Sequence, residues 1–282
     1  MKFTTNRETL LRPLQLVTGV VERRQTLPVL SNLLVEVTQE GVSMTGTDLE
    51  VELVASIPSS AGLEIEQEGA VTIPARKLAD IWRSLPDEAN VSVATEGDRT
   101  IVRSGRSRFT LATLPVADFP KVEAQAGDVE VNVDLGHIRR LLDKTSFAMA
   151  QQDVRYFLNG MMLEVTDSHL RTVATDGHRL AMCTVEGGVA SVDRVQAIVP
   201  RKGVLELSRL LGDGDGEVSL SIGRNHLRAT HGEYSLTTKL VDGKFPPYEA
   251  VIPKESGPAM LGDRETLRQA FHRAAILSNE KF

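Results

Sequence analysis

One cysteine in 282 residues, Cys183, leaves no partner for an internal disulfide and no thiolate set for a zinc finger. It sits in the apolar stretch Leu180-Ala181-Met182-Cys183, where it reads as a small core residue. Aromatic residues are scarce, at 4%, so the chain offers few flat platforms on which single-stranded nucleic acid could stack. No apolar run reaches the roughly 20 residues a membrane-spanning helix needs. The opening Met1-Lys2-Phe3-Thr4-Thr5-Asn6 has no apolar leader stretch, so a reducing cytoplasm is the expected setting. Signatures of catalysis are missing as well: G-x-S-x-G, H-E-x-x-H, a phosphate-binding loop, or G-x-G-x-x-G between a strand and a helix. The six histidines show no ligand spacing, so neither metal nor cofactor is expected. Positive charge is not in excess either. With 32 Lys and Arg against 38 Asp and Glu, the net charge is −6. Such a chain repels phosphate unless its cations are gathered in one place.

What the sequence does hold is enough apolar character for real cores, 41% hydrophobic residues, and a length that favours two or more domains. It also repeats itself. Leu30 to Asp48 (LSNLLVEVTQEGVSMTGTD) aligns without a gap on Leu158 to Asp176 (LNGMMLEVTDSHLRTVATD), 128 positions on. Downstream, Ile73-Pro74-Ala75-Arg76-Lys77 and Val199-Pro200-Arg201-Lys202 each precede a helical pattern, followed by alternating strand segments and a closing Phe-Pro at Phe119-Pro120 and Phe245-Pro246. Upstream, each repeat opens with an amphipathic helix, through Leu10, Leu11, Leu14 and Val17 in one and Ile138, Leu141 and Leu142 in the other. Pro13 inside the first should kink or weaken it.

A third opening, Arg264-Glu265-Thr266-Leu267, repeats Arg7-Glu8-Thr9-Leu10 residue for residue. The unit is helix, strands, helix, strands, which predicts an α+β fold of repeated domains at 1–124 and 129–253, with a third begun at 258–282. An amphipathic helix needs a sheet to cover its apolar stripe, so the expectation is a fragment of a longer protein whose third domain is truncated.

Five predicted helices, 7–18, 75–85, 135–147, 201–211 and 264–276, carry net charges of +1, +2, +2, +2 and +2. Together they hold +9, so −15 lies elsewhere in the chain. With the apolar faces turned to the sheets, the basic faces point outward and suit sequence-blind contact with phosphates. The charge pattern alone leaves RNA, acidic proteins and anionic membranes open as partners. Asp176 and His178 in Asp176-Gly177-His178-Arg179 could support general-base work in a hydrolase. Asp48, however, holds the equivalent position with no histidine near it, which reads Asp176 as a turn residue.

Longer motifs then become familiar. GTDLE (46–50), RSGRSRF (103–109), QDVRYFLNG (152–160), ATDGHRL (174–180), VPRKG (199–203), KLVDGKFPPY (239–248) and RAAILSNEKF (273–282) resemble the bacterial DNA polymerase III beta subunit, the sliding clamp family, along the whole chain. The resemblance implies clamp domains of two helices on two antiparallel sheets, with helices lining the hole of a head-to-tail homodimer around duplex DNA. It implies a processivity factor with no catalytic residue, no cofactor and no membrane contact, serving the replicative polymerase, the clamp loader and other peptide-bearing partners in the cytoplasm at the nucleoid. It implies DNA contact by Arg24, Arg76, Arg139, Arg140, Gln152, Arg201 and Lys202. A partner-peptide cleft would involve Arg155, Phe157, Leu158, Thr175, Gly177, His178, Arg179, Leu180, Pro246 and Val251, with Glu249-Ala250 standing where the family carries a basic pair. The subunit interface would use Lys77, Arg106, Arg108, an exposed Phe109, Leu111, Ile276 and Leu277.

Overall fold

Alternating burial sets the strands. In Val129–Asp134 the three valines turn inward while Glu130, Asn132 and Asp134 face water. The computed structural model describes residues 1–22, 27–122, 127–187, 194–212, 214–254 and 257–278. In its first repeat β1 (Lys2–Asn6) leads into α1 (Arg7–Val20). Five strands follow, β2 (Asn32–Thr38), β3 (Gly41–Thr47), β4 (Val51–Pro58), β5 (Leu63–Gln67) and β6 (Gly69–Pro74), then α2 (Ala75–Ser84), β7 (Asn90–Glu96), β8 (Arg99–Ser104) and β9 (Ser107–Ala112). The second repeat runs β10 (Val129–Asp134), α3 (Leu135–Thr145), β11 (Gly160–Val165), β12 (His169–Thr175), β13 (Leu180–Glu186), β14 (Val195–Pro200), α4 (Arg201–Leu211), β15 (Glu217–Ile222), β16 (His226–His231) and β17 (Tyr234–Lys239).

The helix starts repeat as the sequence does. Asn6 Oδ1 accepts from Glu8 N at 3.2 Å, and Asp134 Oδ1 accepts from Gly136 N at 2.8 Å, which caps α1 and α3. By contrast α2 and α4 each follow a proline, Pro74 and Pro200. Helix α1 runs on through the buried Pro13, the residue expected to kink or weaken it. Proline removes one helical donor, and the burial of Leu10, Leu14 and Val17 on either side keeps the helix seated. Arg7 and Trp82 tie α1 to α2 reciprocally: Arg7 Nε donates to Trp82 O at 3.1 Å and Trp82 Nε1 to Arg7 O at 3.2 Å.

The strands form three sheets, ordered β5-β1-β7-β8-β9, β10-β15-β16-β17-β4-β3-β2-β6 and β13-β12-β11-β14. Each repeat therefore owns two antiparallel sheets, and one sheet from each has fused into an eight-stranded whole. The seam is β4 against β17, with Leu53 opposite Leu236 and Val51 opposite Thr238. Leu53 and Leu236 are fully buried, and a single apolar cluster runs through both repeats. A smaller cluster of Val29, Leu30, Leu34 and Phe119 lies apart from it. Cys183 is buried and free.

The turns after β3 and β12 are copies. Leu49 N donates to Thr47 Oγ1 at 3.1 Å, while Glu50 N and Val51 N donate to Asp48 Oδ1 at 2.9 and 2.7 Å. At the equivalent place Gly177 N donates to Thr175 Oγ1 at 3.1 Å, and His178 N and Arg179 N both donate to Asp176 Oδ1 at 3.0 Å. The third residue has φ +79° at Leu49 and +89° at Gly177. Glycine adopts that region without strain, whereas a leucine there costs about 1–2 kcal/mol.

Residues 1–245 form one compact unit and 246–282 a second. In the second, α5 (Arg264–Ala275) is capped by Asp263 Oδ1, which accepts from Thr266 N at 2.8 Å. No residue of α5 is buried, and Phe271 is 67% exposed.

Truncating the seam should be costly. Leu53→Ala or Leu236→Ala is expected to destabilise by about 2–5 kcal/mol. Urea unfolding followed by circular dichroism should still give one transition for the first two repeats. Two separated transitions in either variant would mean that each repeat folds on its own without the seam.

Candidate functional site

The fused sheet brings the helices together. Helix α1 packs on β3 and β4 and touches α2 on one side; across the seam it touches α4, which packs on β17 and touches α3. The order α2-α1-α4-α3 makes one continuous layer. Its buried stripes, such as Leu78, Ile81 and Trp82 on α2 or Val204, Leu207 and Leu211 on α4, face the sheets. The solvent side carries exposed Arg12, Arg76, Lys77, Arg83, Arg140 and Lys144. This is the surface that the helix charges predict.

Individual residues on this layer differ in what holds them. Arg76, in the first turn of α2, donates to Val21 O at 3.2 Å. Arg139 is half-buried and donates to Gly214 O at 2.8 Å. Arg140 and Gln152 are exposed, and Arg201 is the half-buried first residue of α4. Arg24 lies outside the described residues. Lys202 is committed elsewhere: its ammonium pairs with Asp48 and, at 2.7 Å, with Glu22. Both partners belong to the first repeat, and the Asp48 side chain is only 5% exposed. Burial alone would lower the pKa of Lys202, but the hydrogen bonds to Asp48 and Glu22 carry it above the ordinary 10.5. Lys202 is thus a strut between repeats, a role its place at a basic helix start does not reveal.

The copied turn of the second repeat gathers most of the residues assigned to peptide contact. Arg155 grips Asp153 through Nε at 2.9 Å and Nη2 at 2.8 Å, and also reaches Asp176 O at 3.5 Å. Side-chain and backbone hydrogen bonds from Arg155 hold the Asp153 carboxyl down to about 2. Thr175 Oγ1 donates to Arg179 O at 2.7 Å. The Arg179 guanidinium donates to Phe147 O at 2.9 Å and lies over the Phe147 ring, 5.6 Å from its centroid. Gly177 and His178 are exposed and Leu180 half-buried, whereas Leu158 is only 2% exposed and serves the core. Phe157 is half-buried and meets Tyr156 edge to face at 5.8 Å. Tyr156, 58% exposed, carries no expectation from the sequence. Pro246 and Val251 belong to the second unit, where Val251 is 69% exposed.

Hydrolase chemistry at Asp176 and His178 gains nothing from this geometry. The Asp176 carboxylate is spent on the His178 and Arg179 amides and on the Arg179 side chain, which lower its pKa and make it a poor base. The Asp48 turn makes the same amide bonds without a histidine.

Strand β9 is an edge of its sheet, with Arg106 and Arg108 exposed around its start. The expectation of an exposed Phe109 is corrected here. Phe109 is half-buried against the core and Leu111 is buried, because alternation on β9 turns both inward and leaves Arg108 and Thr110 outside. Lys77 is exposed on α2, and Ile276 and Leu277, in the second unit, are 70% and 94% exposed. Among the described residues no helix is long and apolar enough to cross a membrane.

Comparison with known proteins agrees with the repeat. Residues 1–123 match the model of the DNA polymerase III beta subunit N-terminal domain, and residues 132–247 that of its central domain. The beta sliding clamp of Pseudomonas aeruginosa is 57% identical over 282 residues, covering 100% of this chain and 76% of that protein. A crystal structure of DNA polymerase III subunit beta from the same organism superposes with a TM-score of 0.93 at 56% identity, over 100% of this chain and 76% of the other. A second structure, of that organism's sliding clamp bound to griselimycin, gives 0.94 at 57% identity with the same coverage.

Removing the strut should be felt in stability. Lys202→Met leaves Asp48 buried without its cation and should cost about 3–5 kcal/mol, with Asp48→Asn on top restoring most of it. Since the folded pKa of Lys202 is raised, its contribution is complete below pH 10.5 and fades as pH climbs through the higher folded value. Urea midpoints across that range check both statements; a midpoint that Lys202→Met does not move would refute the strut.

Proposed function

The chain belongs to the DNA polymerase III beta subunit family, the bacterial sliding clamps, and from that premise we propose that it is a ring-forming processivity factor that encircles duplex DNA and tethers the replicative polymerase. It is a non-catalytic subunit. The observation that carries the reading is the continuous layer of four helices with its cations on the solvent side. A duplex passing along this layer meets charges that neutralise phosphates. Phosphates recur along both strands whatever the sequence, so such contacts attract without fixing a register, and the ring can slide. Arg76, Arg139, Arg140, Arg201 and Gln152 serve this contact, as does Arg24, which lies outside the described residues; Lys202 acts on it indirectly through the repeat junction.

Partners, the clamp loader among them, dock a short peptide beside the Thr175 to Leu180 turn. The exposed Gly177 lets a backbone approach closely there, and Arg155, Phe157, His178, Arg179 and Leu180 belong to the same unit and supply the side-chain contacts. That the Pseudomonas aeruginosa sliding clamp was crystallised bound to griselimycin supports ligand docking on this chain too. Two subunits join head to tail, with the open edge of β9, Lys77, Arg106 and Arg108 on one side and Ile276 and Leu277 on the other, as a homodimer working in the cytoplasm. The domain limits we propose are 1–124, 129–253 and, for the start of a third, 258–282.

Encirclement has a direct test. The protein as the cell makes it, loaded on nicked circular DNA, should be retained through gel filtration and lost once the circle is linearised. Equal loss from both forms would overturn the ring. His178→Ala should weaken binding of a clamp-binding peptide, read by fluorescence polarisation; unchanged affinity would remove His178 from the cleft.

A further inference from the structure

At the junction of the two repeats the helix layer is hollowed into a trough of about 250 Å³. Its floor is the small-residue face of α1 at Thr18 and Gly19. One wall is α2, whose Arg76, Asp80 and Arg83 fall on a single helical face, and the other is Arg209 from α4. We propose that this trough is a seat for one backbone phosphate of the enclosed duplex, assembled from both repeats, with Arg83 and Arg209 as DNA-contacting residues beside Arg76. The inference rests on the clamp reading and specifies where on the layer a phosphate sits.

Four observations carry it. Three arginines line the trough against one aspartate, a net charge of +2 in a chain whose net charge is −6. The Asp80 carboxylate is already paired with Arg83 at 2.7 Å. Two of the arginines are aimed by neutral groups: Arg76 donates to Val21 O, and Arg209 donates to Leu16 O, both carbonyls at the carboxy-terminal end of α1. A carbonyl fixes a guanidinium without cancelling its charge, so remaining donors stay directed at an oxyanion. Arg209 also pairs with Glu206, which does not line the trough. Finally, Thr18 is 8% exposed, and its hydroxyl has no hydrogen-bond partner among the described residues. An orphan hydroxyl in the floor of a cationic trough is a donor in reserve.

Gly19 is what leaves room. A Cβ built there would overlap the Arg209 guanidinium, which lies directly on the glycine. The position 128 residues on is Phe147, so the second repeat has no such floor. Gly19→Ala therefore displaces Arg209 from the trough with no change in charge, and the displaced atoms are the mobile end of a long side chain, so the fold survives.

The salt dependence of binding to closed circular duplex tests this. For wild type, Arg83→Gln, Arg209→Gln, Gly19→Ala and the control Arg224→Gln, whose arginine is exposed on the β15–β16 turn, the slope of log K against log salt is measured in the protein as the cell makes it. Losing a phosphate contact makes that slope shallower by about 0.9. The proposal expects that loss in Arg83→Gln and Arg209→Gln, a change of the same sign in Gly19→Ala, and none in Arg224→Gln. If Gly19→Ala keeps the wild-type slope, or if Arg209→Gln changes no more than Arg224→Gln, the seat is refuted and the clamp reading stands. If wild type itself prefers circular DNA no more than linear, the clamp reading falls and the seat with it.

Discussion

The pairing of β4 with β17 is the constraint on which the rest of this molecule depends. A strand edge left open exposes a row of unpaired donors and acceptors, and here each repeat closes one of its edges on the other. Because α1 lies over β4 and α4 over β17, closing that edge also sets the two helices side by side. From the ladder follow the shared core, the unbroken helix layer and the hollow between α1, α2 and α4. None of these belongs to either repeat alone.

Electrostatics on the layer obeys a division of labour. An acidic protein that works on phosphate must keep its cations from being neutralised by its own carboxylates. Arg76 and Arg139 meet this by donating to the carbonyls of Val21 and Gly214, which orient a guanidinium and leave its charge in place, while Arg209 divides its donors between the Leu16 carbonyl and Glu206. Lys202 does the opposite. Its charge is consumed by Asp48 and Glu22, and the return is rigidity at the junction. Two neighbouring residues at one helix start, Arg201 and Lys202, have thus parted in role, since only the second reaches across to the other repeat.

The sequence carried much of this. The 128-residue offset, the five helices to within two residues, the basic helix faces, the buried Cys183 and the turn role of Asp176 were all legible, because each rests on local pattern or on comparing the chain with itself. What stayed hidden depends on residues far apart. Lys202 and Asp48 are 154 positions apart, and Arg209 and Leu16 are 193. No periodicity announces such a meeting, so Lys202 reads as a phosphate ligand and Arg209 as ordinary helix surface. Phe109 reads as exposed because the resemblance puts it at a subunit interface, although the period of two turns it inward. Pro13 reads as a kink or weak point because propensity is silent about the core on which the helix lies.

The paired turns at Thr47-Asp48 and Thr175-Asp176 have a consequence for how a duplicated protein diverges. In both, two side chains fold the loop by capturing amides, so its shape does not depend on the third residue. That position admits either residue at unequal cost: one copy keeps a glycine that leaves the bend bare, and the other endures a leucine under torsion. Selection could therefore assign one bend to an outside visitor and the other to internal masonry, without redesigning the loop that makes them.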